Sequence, residues 1–159
     1  MSDYENQRSR AVSPVLRTKD AVVDEQGTAV IPAGTREIFD MAFQENPQMI
    51  RVVLPDSVRK VGSRAFAGCE NLREVHLNDG LEILEGNVFN GCTRLEELVL
   101  PSSLRQVHAY AFNHTSFRAP VYDRSGTILY HYPEQAPVTS FAVPQGVKRL
   151  AHGAFLGCA

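Results

Sequence analysis

Apolar positions along this chain recur with a period of 23 residues. Phe43, Phe66, Phe89, Phe112 and Phe155 serve as origins, spaced 23, 23, 23 and 43 apart. Immediately before them sit Ala42, Ala65, Val88, Ala111 and Ala154, and five positions before sit Ile38, Val61, Leu84, Val107 and Leu150. Twelve before come Ile31, Leu54, Leu77, Leu100 and Val143, followed by Pro32, Pro55, Asn78, Pro101 and Pro144. A chance echo matches at few columns and a true repeat at many. The unit reads L-P-x-x-L-x-x-I-x-x-x-A-F-x-x-C-x-x-L-x-x-V-x.

Each unit predicts three local elements. The stretch before Leu-Pro alternates, as in Arg73-Glu74-Val75-His76-Leu77, so strands are expected at Ile50 to Leu54, Arg73 to Leu77 and Glu96 to Leu100, paired in parallel. Proline, lacking a donor, ends each one. A second extended piece is expected at Val58 to Val61, Leu81 to Leu84, Leu104 to Val107 and Val147 to Leu150. A tight helical turn then carries the Ala-Phe pair inward and is closed by Gly68, Gly91 or Gly157. One unit alone has too little apolar surface to offset the entropy of ordering its backbone. Coils must therefore share their columns with neighbours. The expected fold is a repeat solenoid of α/β type, mostly β, with five coils in a single domain over residues 21–159.

Two segments interrupt the rhythm. AVVDEQGTAVIP, from Ala21, places Asp24-Glu25-Gln26-Gly27 between β-rich pieces and predicts a hairpin capping the first coil. VYDRSGTILYHYP, from Val121, repeats its D-x-x-G-T core at Asp123 and Gly126, predicting a hairpin insertion at about 121–141 that ends in the loop EQAPVTSF. Residues 1–20 show no apolar periodicity and are expected as a flexible leader or a loosely docked strand.

The L-P-x-x-L-x-x-I-x-x-x-A-F-x-x-C pattern resembles the BspA-like class of leucine-rich repeats, from Ile31 to Ala159. The hairpin followed by FAVPQGVKRLAHGAF resembles the one that often interrupts such arrays. The resemblance implies a right-handed leucine-rich-repeat solenoid with a parallel strand ladder. It also implies a binding scaffold without catalysis, of a kind common on the surfaces of gut and oral bacteria and in some parasites.

Composition narrows the partners. The 159 residues are 43% hydrophobic and 21% charged with a formal net charge of -2, so no overall positive field draws nucleic acid or anionic membrane. No run of 18 apolar residues occurs, which argues against membrane insertion by a helix. The polar start lacks the apolar stretch of a secretory signal, so the chain as written is expected in the cytoplasm. If a signal has been removed, the expectation becomes the cell surface or secretion, the usual setting of relatives of this pattern.

Candidate chemistry is sparse, and no cofactor is expected. Cys69, Cys92 and Cys158 share one repeat column far from zinc-ligand spacing, and read as small buried thiols behind each Phe. A disulfide between Cys69 and Cys92 is the geometric alternative. His76, His108, His114, His131 and His152 follow no metal spacing, and Asn113-His114-Thr115 matches a glycosylation acceptor by a short motif. Two surface columns remain. On the strand face, Val53, His76, Val99 and Tyr122 form one row, with Arg51, Glu74, Glu97 and Pro120 beside it. On the second extended piece, Arg36, Arg59, Glu82, Arg105 and Lys148 align, with Lys60 and Arg149 adjacent. The leading expectation is a non-catalytic scaffold whose strand face meets a protein partner. The alternative is a bacterial surface adhesion module binding anionic host or glycan ligands through the basic column. No polar cap is written after Phe155, so self-association through the last coil is a further expectation.

Overall fold

The anchor phenylalanines stack along one axis. Centroids of Phe43 and Phe66 lie 5.5 Å apart, those of Phe66 and Phe89 5.7 Å and those of Phe89 and Phe112 6.4 Å, with ring planes within 15° of parallel. This computed structural model describes residues 14–134 and 140–158. It is a β-solenoid with almost no helix. Around the Phe stack, Ile38, Val61 and Leu84 fill one sealed column, and Leu54, Leu77 and Leu100 another.

The longest sheet runs along the second extended piece. Strands β1 (Val15–Leu16), β4 (Glu37–Ile38), β6 (Lys60–Val61), β8 (Ile83–Leu84) and β9 (Gln106–Val107) pair in parallel in that order. The opposite face carries the hairpin β2 (Val22–Val23) and β3 (Ala29–Val30), then the parallel pair β5 (Arg51–Val53) and β7 (Glu74–His76). β10 (Val121–Tyr122), β11 (Ile128–His131) and β12 (Arg149–Leu150) form a third sheet.

Strands this short persist because every coil hands its hydrogen bonds to the next. The amides of Arg59 and Gly62 donate to the carbonyls of Arg36 and Ile38 one coil below, and the pattern recurs at Glu82 and Glu85. Where helical turns are expected, the chain makes linked single turns instead. Within them Ala42 bonds Phe39, Gln44 bonds Met41 and Asn46 bonds Phe43, while the amides of Met41, Phe43 and Glu45 reach up to Ser63, Ala65 and Ala67. That alternation needs left-handed backbone two residues after each Phe, where Gly68, Gly91 and Gly157 stand at φ of 70°, 75° and 83°. In the coil without proline, Asn78 takes over. Its side-chain amide donates to the carbonyls of Pro55 and Val58, and its oxygen accepts from Gly80.

Residues 1–13 of the expected leader lie outside the described residues, and the alternative of a docked strand holds at Val15–Leu16, which pairs in the main sheet with Leu16 buried. Three further expectations need correction. The strand expected at Glu96 to Leu100 is reduced to a bridge between Leu100 and Asp123. Glu97 would stand opposite Glu74 in that ladder, and like charges facing across strands repel. The expected hairpin forms, with β10 antiparallel to β11, but its second strand is also a rung of a shortened coil. Leu129 pairs with Leu150, the Tyr132 amide donates to Ala154 as Phe66 does to Val88, and the Tyr132 ring stacks on Phe155 at 5.5 Å. Tyr132 thus holds an anchor position, three residues after Leu129 where other coils take five, and the levels exceed the expected five. Lastly, Cys158 is exposed, unlike the other two members of its column. Residues 135–139 of the expected loop lie outside the described residues.

The two hairpins share one device. Asp24 accepts from the amides of Gln26 and Thr28, and Asp123 from those of Ser125, Thr127 and Ile128. Burial pushes the Asp123 carboxyl up, but these amides and the Ser125 hydroxyl outweigh it and hold the group below the usual carboxylate value.

Candidate interaction surface

On the strand face, parallel pairing sets Arg51 beside Glu74 and Val53 beside His76. Side chains alternate along each strand, so Val52 is sealed in the core while Val53 points out. Arg51 Nε lies 3.1 Å from Glu74, and His76 Nε2 lies 3.7 Å from the same carboxylate, so two coils share one charge cluster. Val99 is 60% exposed, and Glu97 is also exposed. Tyr122 is half-buried in β10. Arg124, following in the hairpin, reaches back to Asp79. Where the ladder breaks, Glu74, His76, Glu97, Val99 and Arg124 border a depression of about 460 Å³.

The row is longer than the sequence reading has it. Thr28 pairs with Arg51, which sets Val30 in line with Val53, and Val30 pairs with Val22 in the hairpin. Both valines are exposed. A signal for Val30 was present, since it lies thirteen residues before Phe43, as Val53 lies before Phe66. Val22 carries no such signal, because its place depends on hairpin register.

The basic column is divided. Arg36, Arg59 and Arg105 are exposed and aligned with half-buried Glu82, each backbone bonded to the next. Arg59 turns its guanidinium onto the carbonyls of Asp56 and Val58. Lys60 sits between Glu37 at 3.3 Å and Glu85 at 3.6 Å. Burial draws its ammonium down, and Glu37, Glu85 and Asp40 together raise it above the ordinary lysine value. Lys148 and Arg149 pair with Thr127 and Ile128 in the third sheet.

The thiols are packing groups. Cys69 Sγ donates to the Phe43 carbonyl at 3.1 Å and Cys92 Sγ to that of Phe66 at 3.2 Å, and both are free. Burial pushes the Cys69 thiol up to about 11 and raises Cys92 too, which keeps both protonated. Among the described residues no three His, Cys, Asp or Glu side chains gather as a metal site. His131 is the histidine that pattern alone does not place. It is buried, with its ring 5.9 Å from Phe112 and 5.8 Å from Phe117, and burial lowers its pKa despite the opposing charge of Glu134. In the glycosylation motif, the side-chain oxygen of Asn113 is buried and Thr115 bonds the Phe112 carbonyl.

Residues 27–132 match the family described as BspA type Leucine rich repeat region, in six copies. A leucine-rich repeat protein from Bacteroides capillosus is similar at 28% identity and a TM-score of 0.51, over 72% of this chain and 79% of that one. The T. pallidum leucine-rich repeat protein shares the fold at 22% identity and a TM-score of 0.53, over 85% of this chain and 78% of that one. The pneumococcal vaccine antigen PcpA shares it at 24% identity and 0.59, over 74% of this chain and 33% of that protein. No curated protein matches the chain.

Proposed function

The chain belongs to the BspA-type leucine-rich-repeat family, and from that premise we propose that it is a protein-interaction module whose strand face meets a protein partner. Such repeat proteins are typically non-enzymatic scaffolds serving protein interaction or surface display. The observation that carries the reading is the exposed row Val22, Val30, Val53 and Val99, continued by His76 and half-buried Tyr122, on one face, with all but Val99 in strands. Apolar and aromatic side chains of this kind supply interface energy when desolvated. Rigid coils fix their spacing in advance, so binding orders few side chains. Beside the row, Arg51, Glu74 and Glu97 form a polar rim that sets orientation.

Affinity capture with the immobilised chain tests this. Val53→Asp and Val99→Asp should each weaken retention of the bound protein by about tenfold or more, the scale of interface anchors. Arg59→Glu and Arg105→Glu should leave it unchanged. Retention that survives both valine variants and collapses with rising salt would transfer the function to the basic column.

A further inference from the structure

Beside the depression at Val99 lies a second hollow of about 620 Å³, lined by Arg73, Arg94, Glu96, Glu97, Arg118 and Ala119 from three successive coils in the middle of the array. The two share Arg73 and Glu97. The hollow originates in the break of the ladder. The amides of Arg73 and Glu74 both donate to the Ile50 carbonyl one coil below. Those of Glu96 and Glu97, one repeat further on, reach no backbone acceptor among the described residues, so the chain stands off from Arg73. Charge is left uncompensated there. Arg51, Arg59, Arg118 and Arg124 each hold a carboxylate or a backbone carbonyl. By contrast, the guanidinium groups of Arg73 and Arg94 and the carboxylate of Glu97 have no hydrogen bond or ion pair among the described residues.

We propose that this hollow binds an acidic sugar, a ring bearing one carboxylate and several hydroxyls, carried at the end of a glycan chain. Three arginines against two glutamates leave one positive charge, which matches a monoanion. Arg73 and Arg94 come from adjacent coils, and each guanidinium fork suits the two oxygens of a carboxylate placed between them. Glu97, which only accepts, takes the donors that sugar hydroxyls supply. Other anions fit less well. The lining has no aromatic ring on which a nucleotide base could stack. Its one apolar side chain is Ala119, so an apolar peptide side chain gains little by burial there. An inorganic anion leaves Glu97 without a donor. All six lining residues are exposed, so the rest of a glycan runs out into solvent. The site shares a face with the valine row but needs no protein partner, and it stands or falls without that reading.

Methyl glucuronide, blocked at its anomeric carbon as in a glycan, is the probe. Titration into the isotope-labelled full chain is followed by NMR at about 0.15 M salt, where exposed charges are screened beyond about 8 Å. The side-chain Nε resonances of Arg73 and Arg94 and the amide resonance of Glu97 should move saturably. Methyl glucoside, which lacks the carboxylate, should not move them, and acetate, which lacks the hydroxyls, should bind about threefold or more weakly. Arg73→Gln and Arg94→Gln should each weaken the glucuronide about fivefold, on exposed side chains whose replacement leaves the fold intact. Glu97→Ala should abolish the preference for glucuronide over acetate. Arg59→Gln, in the basic column, and Val53→Asp, in the valine row, should change nothing. The proposal is overturned by an absence of saturable shifts, by equal shifts with methyl glucoside, or by acetate or inorganic phosphate binding as tightly as the glucuronide. Undiminished affinity in both arginine variants would overturn it too, and free glucuronate binding more tightly than the glycoside would overturn the glycan as its source.

Discussion

Phe89 and Phe155 occupy the same column of the repeat, yet Phe89 is sealed between two near-parallel rings and Phe155 is substantially exposed. Phe155 meets Tyr132 at 30° and Phe141 at 54°, a looser cluster than the regular stack. The contrast shows that a column fixes where a side chain points, while its burial is set by the coils above and below. Substitution makes the difference measurable. Phe89→Ala opens a cavity lined by two neighbouring anchors and should cost about 3–5 kcal/mol in urea unfolding. Phe155→Ala, with solvent already on one side, should cost under about 2 kcal/mol. Equal losses would show that the Phe155 coil is sealed as well as the middle of the array.

Between the two regions lies a seam at which pH should act. The Phe112 ring meets Phe117 and His131 in place of another parallel anchor. Burial lowers the folded-state pKa of His131, with Glu134 opposing in part. An unfolded chain therefore takes up this proton before the folded one does, so stability is fully present above the unfolded value and falls as pH drops through it toward the folded value. Urea midpoints should decline between about pH 7 and pH 5, the window beginning near the ordinary histidine pKa of about 6.5. His131→Phe, which keeps an aromatic ring against Phe112 and Phe117, should flatten that decline. An unchanged slope would mean that the seam opens to water, unlike the regular coils.

The same contrast explains what the sequence discloses. Ile38, Val61, Leu84 and the four stacked Phe are legible because identical neighbours impose identical side chains, and their register follows from the 23-residue spacing. Tyr132 is hidden because its coil is two residues short and its ring carries a hydroxyl. Gly153 of the next coil comes down against Ala109, with Ala109 Cβ 2.7 Å from where a Gly153 Cβ would stand, so contact there skips the short coil. Val15 and Leu16 are hidden because their unit lacks the Ala-Phe mark, although their backbone joins the ladder. On the candidate surface, Val53 and His76 follow from strand alternation, whereas the break before Val99 lies where Glu74 and Glu97 share one column, a repulsion that apolar periodicity does not weigh.

The smallest expected effect concerns the turn column two residues past each anchor. Gly68 and Gly91 adopt left-handed backbone at no steric cost, but Glu45 at φ 57° and His114 at φ 55° adopt it against their Cβ atoms. Glu45→Gly should relieve that strain and raise stability by about 0.5 kcal/mol, the remainder being offset by the greater freedom of glycine in the unfolded chain. His114→Gly should gain less, because the ring nitrogen gives up its 3.1 Å contact with Asn90. The reverse change is graded by space as well as by φ. A Cβ at Gly91 finds its nearest neighbour at 3.6 Å, so Gly91→Ala should cost about 1–2 kcal/mol, the left-handed penalty alone. At Gly68 the added carbon would stand 2.9 Å from Glu45 Cγ, so Gly68→Ala should cost more, and pairing it with Glu45→Gly should recover the excess. If the double variant is no more stable than Gly68→Ala alone, adjacent coils are not coupled through this column, and the regular region loses its advantage over the end at that point.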